Sequence, residues 1–221
     1  MNEILFLLHI LAVVGFVFVS LRLGKNALIA LAAFQAALAN LFVVKQIGLF
    51  GLTVTCSDVF AVGGILTLNL LQEYFGKEAA AQAVRISFFC LLFFALMSQL
   101  HLLYSPADAD QTHAAFKTIF SSSPRILLAS VSVFYLVQKI DVRLFSWLKT
   151  FYEGKRLPWR IGLSLLLSQF LDTVLFSFLG LYGIVASVGS IILVSLAVKY
   201  AIVSCSSALV VFSKRFVKEA A

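Results

Sequence analysis

Seven apolar runs, each about as long as a bilayer is thick, take up most of this 221-residue chain. They fall at about 3–22, 26–47, 54–75, 82–104, 125–147, 160–181 and 185–213. A helix rises about 1.5 Å per residue, so roughly 20 residues cross ~30 Å of hydrocarbon. Backbone groups in lipid must be satisfied by other backbone groups, which leaves helices and closed barrels as spanning structures. Barrel strands alternate apolar and polar residues over about ten positions, whereas these runs stay apolar throughout. The expected fold is all-α: a polytopic membrane helix bundle of about seven transmembrane helices, read as a single integral membrane domain over 1–221. Apolar residues make up 62% of the chain and charged residues 12%, which leaves little material for an appended soluble domain.

The net charge of +7 sits at the ends of the runs. The connections at 22–25, 76–81 and 148–159 and the segment after 212 hold Arg22, Lys25, Lys77, Lys149, Lys155, Arg156, Lys214, Arg215 and Lys218. The alternate connections are poor in basic residues, and the longest carries Asp108 and Asp110. The positive-inside rule then sets the N-terminus outside and the C-terminus in the cytoplasm. Because these cations form no stripe, no nucleic-acid partner is expected; the lipid bilayer is the expected surroundings. The first run has its basic residues after it, the wrong order for a secretory signal, so it reads as a retained helix. A short amphipathic segment is expected around 113–120, in the loop bracketed by Pro106 and Pro124.

Polar residues inside the runs are costly in lipid and tend to face a cavity or one another. In the third run Asp58, Asn69 and Glu73 share a helical face. In the sixth, Ser164, Ser168 and Asp172 recur every fourth residue, with Gln169 and Thr173 beside them. Lys199 lies at matching depth in the seventh, and the connection between those two runs is short, so an Asp172–Lys199 ion pair or shared site is expected. Glu73 could instead pair with Lys77. Gln138 and Asp141, in the fifth run, precede Arg143 at the membrane edge. The serines could simply bond a neighbouring helix, and His9 and His101 read as packing residues. Cys56, Cys90 and Cys205 lie within apolar runs without metal-ligand spacing, so neither a metal nor a cofactor is expected.

Four segments in order carry a family resemblance: ANLFVVKQIGLFGLTVT (39–55), QEYFGKEAA (72–80), RILLASVSVFYLVQKIDVRLF (125–145), and the run from Trp159 and Arg160 to SQFLDTVLF (168–176). Over about 25–213 the chain resembles the queuosine precursor transporters, also known as the vitamin uptake transporter family. The resemblance implies a bacterial cytoplasmic (inner) membrane importer of 7-deazaguanine bases such as queuine, serving tRNA modification, and so a purine-like small-molecule substrate. It puts Asn40, Lys45, Glu73, Arg125, Gln138, Asp141, Arg160, Gln169, Asp172 and Lys199 at the family's recurring polar positions. The chain departs from the family at Asn69, where an aspartate is common, at Ile161 and Gly162, where asparagines are, and at Leu165, where a threonine is. The first run is an addition found in longer members. With Asp58, Asn69 and Ser168 from the polar stripes, and without Lys45, these are the candidate substrate-binding residues. Phe60, Tyr74 and Phe176 lie close enough in sequence to sandwich a base.

The expected mechanism is alternating access around a midplane pocket formed by the third, fifth, sixth and seventh runs. Facilitated diffusion would suffice, and proton coupling through Asp172 or Glu73 is a further expectation. The alternative is a capture subunit for another vitamin-like molecule that depends on a separate ATPase module, since no G-x-x-x-x-G-K-[ST] occurs here. An enzyme is not expected, because no H-E-x-x-H, G-x-S-x-G or His/Cys cluster appears. A homodimer is compatible with the sequence.

Overall fold

The computed structural model describes residues 1–43, 45–55, 57–120, 124–183 and 188–216. Eight α-helices are seen there: α1 (Asn2–Leu23), α2 (Lys25–Phe42), α3 (Asp58–Phe75), α4 (Lys77–Leu102), α5 (His113–Phe120), α6 (Pro124–Phe151), α7 (Leu157–Phe176) and α8 (Val188–Leu209). A π-helical turn, Ser177–Leu181, continues α7, and a 3-10 segment, Val210–Phe216, continues α8. Five helices are long and apolar enough to cross a membrane: α1, α2, α4, α7 with its π turn, and α8 with its 3-10 extension. The other two long helices, α3 and α6, carry polar and charged residues along their length, and the chain is a polytopic membrane helix bundle.

Single glycines reverse the chain twice. Gly24, at φ 105°, donates its N–H to Ser20 and separates α1 from α2; Gly76, at φ 88°, donates to Gln72 and separates α3 from α4. Such angles cost a side chain a great deal and glycine little, so each residue can end one helix and begin the next. The fourth helix therefore starts at Lys77, several residues before the apolar run does.

α3 runs through the middle of the bundle, packed on α1, α2, α4, α6, α7 and α8. Leu66, Leu68, Leu70 and Leu71 are all fully buried, as are the polar Thr67 and Asn69. Thr67 donates to the Gly63 carbonyl at 2.8 Å, and Gln35 of α2 donates to Thr67 at 3.4 Å. Gly63 permits this closeness: a Cβ there would sit 2.6 Å from Val13 of α1 and 2.7 Å from the Gln35 side-chain oxygen. An apolar helix of this kind could face lipid, whereas one carrying Asp58, Asn69, Gln72 and Glu73 is stable in a membrane when protein surrounds it.

The connection between α2 and α3 differs from expectation. The sequence reading extends the second run to 47 and starts the third at 54; instead α2 stops at Phe42, and Gln46–Leu49 (β1) pairs antiparallel with Leu52–Thr55 (β2), Gln46 opposite Thr55. Phe50 and Gly51 make the two-residue turn, both at positive φ (50° and 78°), which suits the twist of a tight hairpin. The first turn of α1 holds it: Asn2 donates to the Gly48 carbonyl at 3.0 Å, and Glu3 accepts from the Phe50 N–H at 3.3 Å. The amphipathic α5 does form over His113–Phe120, and Gln99 of α4 donates to its last carbonyl at 2.8 Å.

Candidate functional site

A cavity of about 390 Å³ opens between α2, α3, α6, α7 and α8. It occupies one half of the bundle, bordered by the C-terminal end of α2 (Asn40, Val43), the start of α3 (Ser57, Asp58), and the end of α7 with its π turn (Phe176, Ser177). It reaches Lys199 near the middle of α8. The pocket expected at the midplane thus lies toward one face, and α2 supplies a wall that the four-helix expectation lacked.

At the inner end of the cavity stands a three-residue charge cluster. Lys199 donates to Asp172 at 2.8 Å and to the Thr173 hydroxyl at 3.0 Å, and its Nζ lies 3.8 Å from Asp58. The expected Asp172–Lys199 pair is therefore present, and Asp58 joins it from α3. Asp172 keeps 28% of its side chain exposed, against 6% for Lys199 and 10% for Asp58, so one carboxylate is free to meet a guest. The ammonium, drawn from water into the bundle, is held by three partners, Asp172, Asp58 and Thr173.

Beside the cluster Gln169 is buried and lines the cavity, yet neither its amide nitrogen nor its amide oxygen has a hydrogen-bond partner. Gln138, across from it on α6, likewise leaves its Oε1 unbonded. An unsatisfied buried amide group costs about 1–3 kcal/mol, so two such side chains at one cavity are a standing offer of hydrogen bonds to a polar guest. Asn40 is partly engaged: it donates to the Ala36 carbonyl at 3.1 Å and accepts from Ser130 at 2.9 Å. Phe60, Phe134 and Phe176 give the cavity aromatic walls. Phe60 is braced by Phe42, stacked at 5.8 Å, and by His9, edge-on at 4.9 Å.

Of the candidate residues, Asn40, Asp58, Gln138, Gln169, Asp172 and Lys199 meet at this cavity. The others do not. Glu73 and Arg160 form a separate cluster toward the opposite end: Arg160, fully buried, makes two 2.9 Å bonds to the Glu73 carboxylate, and Lys149 lies 3.2 Å from it. Glu73 thus pairs with Arg160 and Lys149 rather than Lys77. Arg160 also donates to the carbonyls of Lys155 (2.9 Å) and Gly154 (3.0 Å), and its guanidinium lies over the Phe145 ring at 5.4 Å. Arg125 is exposed and donates to the Leu179 carbonyl at 2.9 Å. Asp141 and Ser168 lie behind the cavity: Ser164 and Ser168 both donate to Asp141 Oδ1, at 2.5 and 2.7 Å. Asn69 is buried with neither side-chain polar atom bonded.

The face shared by Asp58, Asn69 and Glu73 is therefore divided along the helix axis, because fifteen residues of helix span about 22 Å. Tyr74 is likewise outside the cavity, its hydroxyl 2.8 Å from that of Ser213. Cys90 and Cys205 are half-buried free thiols, and Cys56 lies outside the described residues. Sequence reasoning missed Ser130 and Phe134 on α6 and Ser195 on α8. Their signal was present: Ser130, Phe134 and Gln138 recur every fourth residue, and Ser195 stands four before Lys199.

No solved structure matches the chain. The model of the family described as "Putative vitamin uptake transporter" matches residues 55–212. A protein of Bacillus subtilis (strain 168) named "Probable queuosine precursor transporter" is 36% identical over 178 residues, covering 77% of this chain and 78% of that protein. The matched segment includes α3, α6, α7 and α8, hence five of the six candidate residues at the cavity. The chain belongs to this family, the queuosine precursor transporters.

Proposed function

We propose that the protein carries queuosine precursors, 7-deazaguanine bases such as queuine, across a bacterial cytoplasmic membrane for use in tRNA modification. The observation that carries this reading is the cavity itself, where two amide side chains with unbonded polar atoms stand beside the Asp58–Lys199–Asp172 cluster under aromatic walls. A volume of about 390 Å³ is in the range of small-molecule sites. The guanine-like edge of such a base presents N–H donors beside a carbonyl. A carboxylate accepts from the donors and an amide nitrogen donates to the carbonyl, the roles assigned to Asp172 and Gln169. With both carboxylates ionised the cluster has one net negative charge, which favours bases bearing an ammonium group.

Transport follows an alternating-access cycle. In this reading, which follows the positive-inside rule, the Arg160 end faces the cytoplasm and the hairpin and cavity face outside. In this arrangement the cavity accepts the base from outside, while the Arg160–Glu73–Lys149 cluster and the packed α3–α6–α7 layer separate it from the cytoplasm. Release requires α6 and α7 to shift against α3 at that end. The deciding experiment expresses the chain in a bacterium that can neither make nor import 7-deazaguanines and measures queuosine in its tRNA. Restoration on feeding queuine is expected; protein present in the membrane without queuosine in tRNA defeats the reading. Uptake into vesicles holding this chain alone separates it from a capture subunit that needs an ATPase module.

A further inference from the structure

Among the described residues, Asp141 is a fully buried carboxylate with no cation beside it. It lies on α6, and its Oδ1 takes both serine hydroxyls of α7 while its Oδ2 has no partner. The charged groups on every packed element are otherwise engaged or remote. On α3, Asp58 faces Lys199, and Glu73 faces Arg160 and Lys149; on α7, Arg160 is engaged by Glu73 and two carbonyls, and Asp172 faces Lys199. On α4, Lys77, Glu78, Arg85 and His101 lie on exposed or terminal positions, and on α6 itself Lys139 and Arg143 are exposed. Among the described residues no cation lies within ion-pair distance of Asp141.

A carboxylate so placed would be an isolated charge in low dielectric, where a group ordinarily takes up a proton instead. Its position matters as much as its burial. Gln138, three residues earlier on α6, and Gln169, next to Ser168 on α7, both line the cavity, and both have unbonded side-chain oxygens. On the other side, Gln72 of α3, the residue before Glu73, donates to the Val142 carbonyl at 3.0 Å and to Ser146 at 2.7 Å. Asp141 thus stands in series between the cavity and the ion-pair cluster that closes the far end.

We infer that Asp141 is the proton-carrying residue of the transport cycle, holding a proton on Oδ2 in the conformation described here. The proton enters from the cavity side with the base. It leaves toward the opposite face when α6 and α7 shift, and the carboxylate then remaining keeps the two serine hydroxyls as donors. One proton accompanies each base, and no other bond is made or broken. Asp172 and Glu73, the expected coupling residues, each already face cations.

Infrared spectroscopy of the purified protein at neutral pH tests the protonated state without any ligand. A carboxylic-acid C=O stretch present in the wild type, absent in Asp141→Asn and restored in Asp141→Glu is the expected result; identical spectra for wild type and Asp141→Asn overturn the inference whatever the cavity binds. The coupling step rests on the proposed function and is read in vesicles with labelled queuine. A pH gradient of one unit should drive about tenfold accumulation in the wild type, none in Asp141→Asn, and accumulation again in Asp141→Glu. A sodium gradient driving accumulation at equal pH, or a pH response retained by Asp141→Asn, overturns it. If the wild type moves no queuine, the functional reading falls and the infrared result still decides Asp141.

Discussion

The two ends of α3 hold two ion-pair clusters of similar composition and opposite character. At one end Arg160 is engaged through all three guanidinium nitrogens: both Glu73 oxygens, two loop carbonyls and an aromatic face meet it, and none of it is exposed. At the other, Lys199 divides itself between two carboxylates at 2.8 and 3.8 Å, one of them open to a cavity flanked by amides without partners. Arginine's planar fork suits the first role, fixing a geometry through several bonds at once; the ammonium of lysine, a point charge on a flexible stem, suits the second, where partners must be exchanged. An engaged cluster stabilises one arrangement, and an unsaturated one is ready to bind.

The largest expected effect tests the engaged end. Arg160→Met leaves Glu73 with Lys149 alone and strands two carbonyls, so it should cost about 3–5 kcal/mol, read as a loss of melting temperature and of membrane yield. Arg160→Lys keeps the charge but not the fork, and should recover less than half of that loss. A variant that melts like the wild type would mean that Arg160 is not fixed as described. Asp172→Asn, the corresponding test at the open end, leaves Lys199 with Asp58 and Thr173. Its melting should change by less than about 1 kcal/mol while uptake falls at least about tenfold, as for loss of a charge-assisted contact to a bound ligand. If both variants lost stability equally, the contrast between the ends would be gone.

That contrast was partly legible in the sequence. Matching depth and a short connection sufficed to pair Asp172 with Lys199, because the positions of two antiparallel neighbours along the membrane normal follow from counting residues. Facing is a weaker guide: periodicity puts Asp58 and Glu73 on one side of a helix without saying that the axis carries them to different sites. The partner of Ser164 and Ser168 was open for another reason. Their spacing marks a stripe, yet which helix the stripe meets depends on how α6 and α7 pack, and in the sequence Asp141 stands out only as a residue shortly before Arg143 at the membrane edge. The hairpin escaped notice because Gln46–Leu49 and Leu52–Thr55 are short and apolar enough to pass for helix ends; Phe50–Gly51 was the turn signal.

Gln169→Leu sharpens the meaning of an unsaturated site. The substitution removes two buried polar atoms without partners and keeps a side chain of similar reach, so stability should hold or rise by about 1 kcal/mol. Uptake should weaken about tenfold, chiefly through KM, if those atoms meet the base. Falling stability with normal uptake would make Gln169 a structural residue instead.

The smallest effect concerns the outer edge of the same cavity. α2 packs on α1, α3 and α4, and α6 on α3, α4 and α7, so the 2.9 Å bond from Ser130 to Asn40 ties two walls together across the opening. Ser130→Ala should cost about 0.5–1.5 kcal/mol and alter KM no more than about threefold, because Asn40 retains its bond to Ala36. Asn40→Ala deletes the same contact and the bond to Ala36 as well, so it should cost slightly more, and the double variant should match Asn40→Ala alone. Full additivity in uptake would separate the residues: Asn40 would then touch the base directly while Ser130 merely packs, and the binding surface would extend from the charged inner end to the mouth of the cavity. Non-additivity confines binding to the Gln169–Asp172 end and leaves the Ser130–Asn40 bond as the element that sets how widely the two walls stand apart.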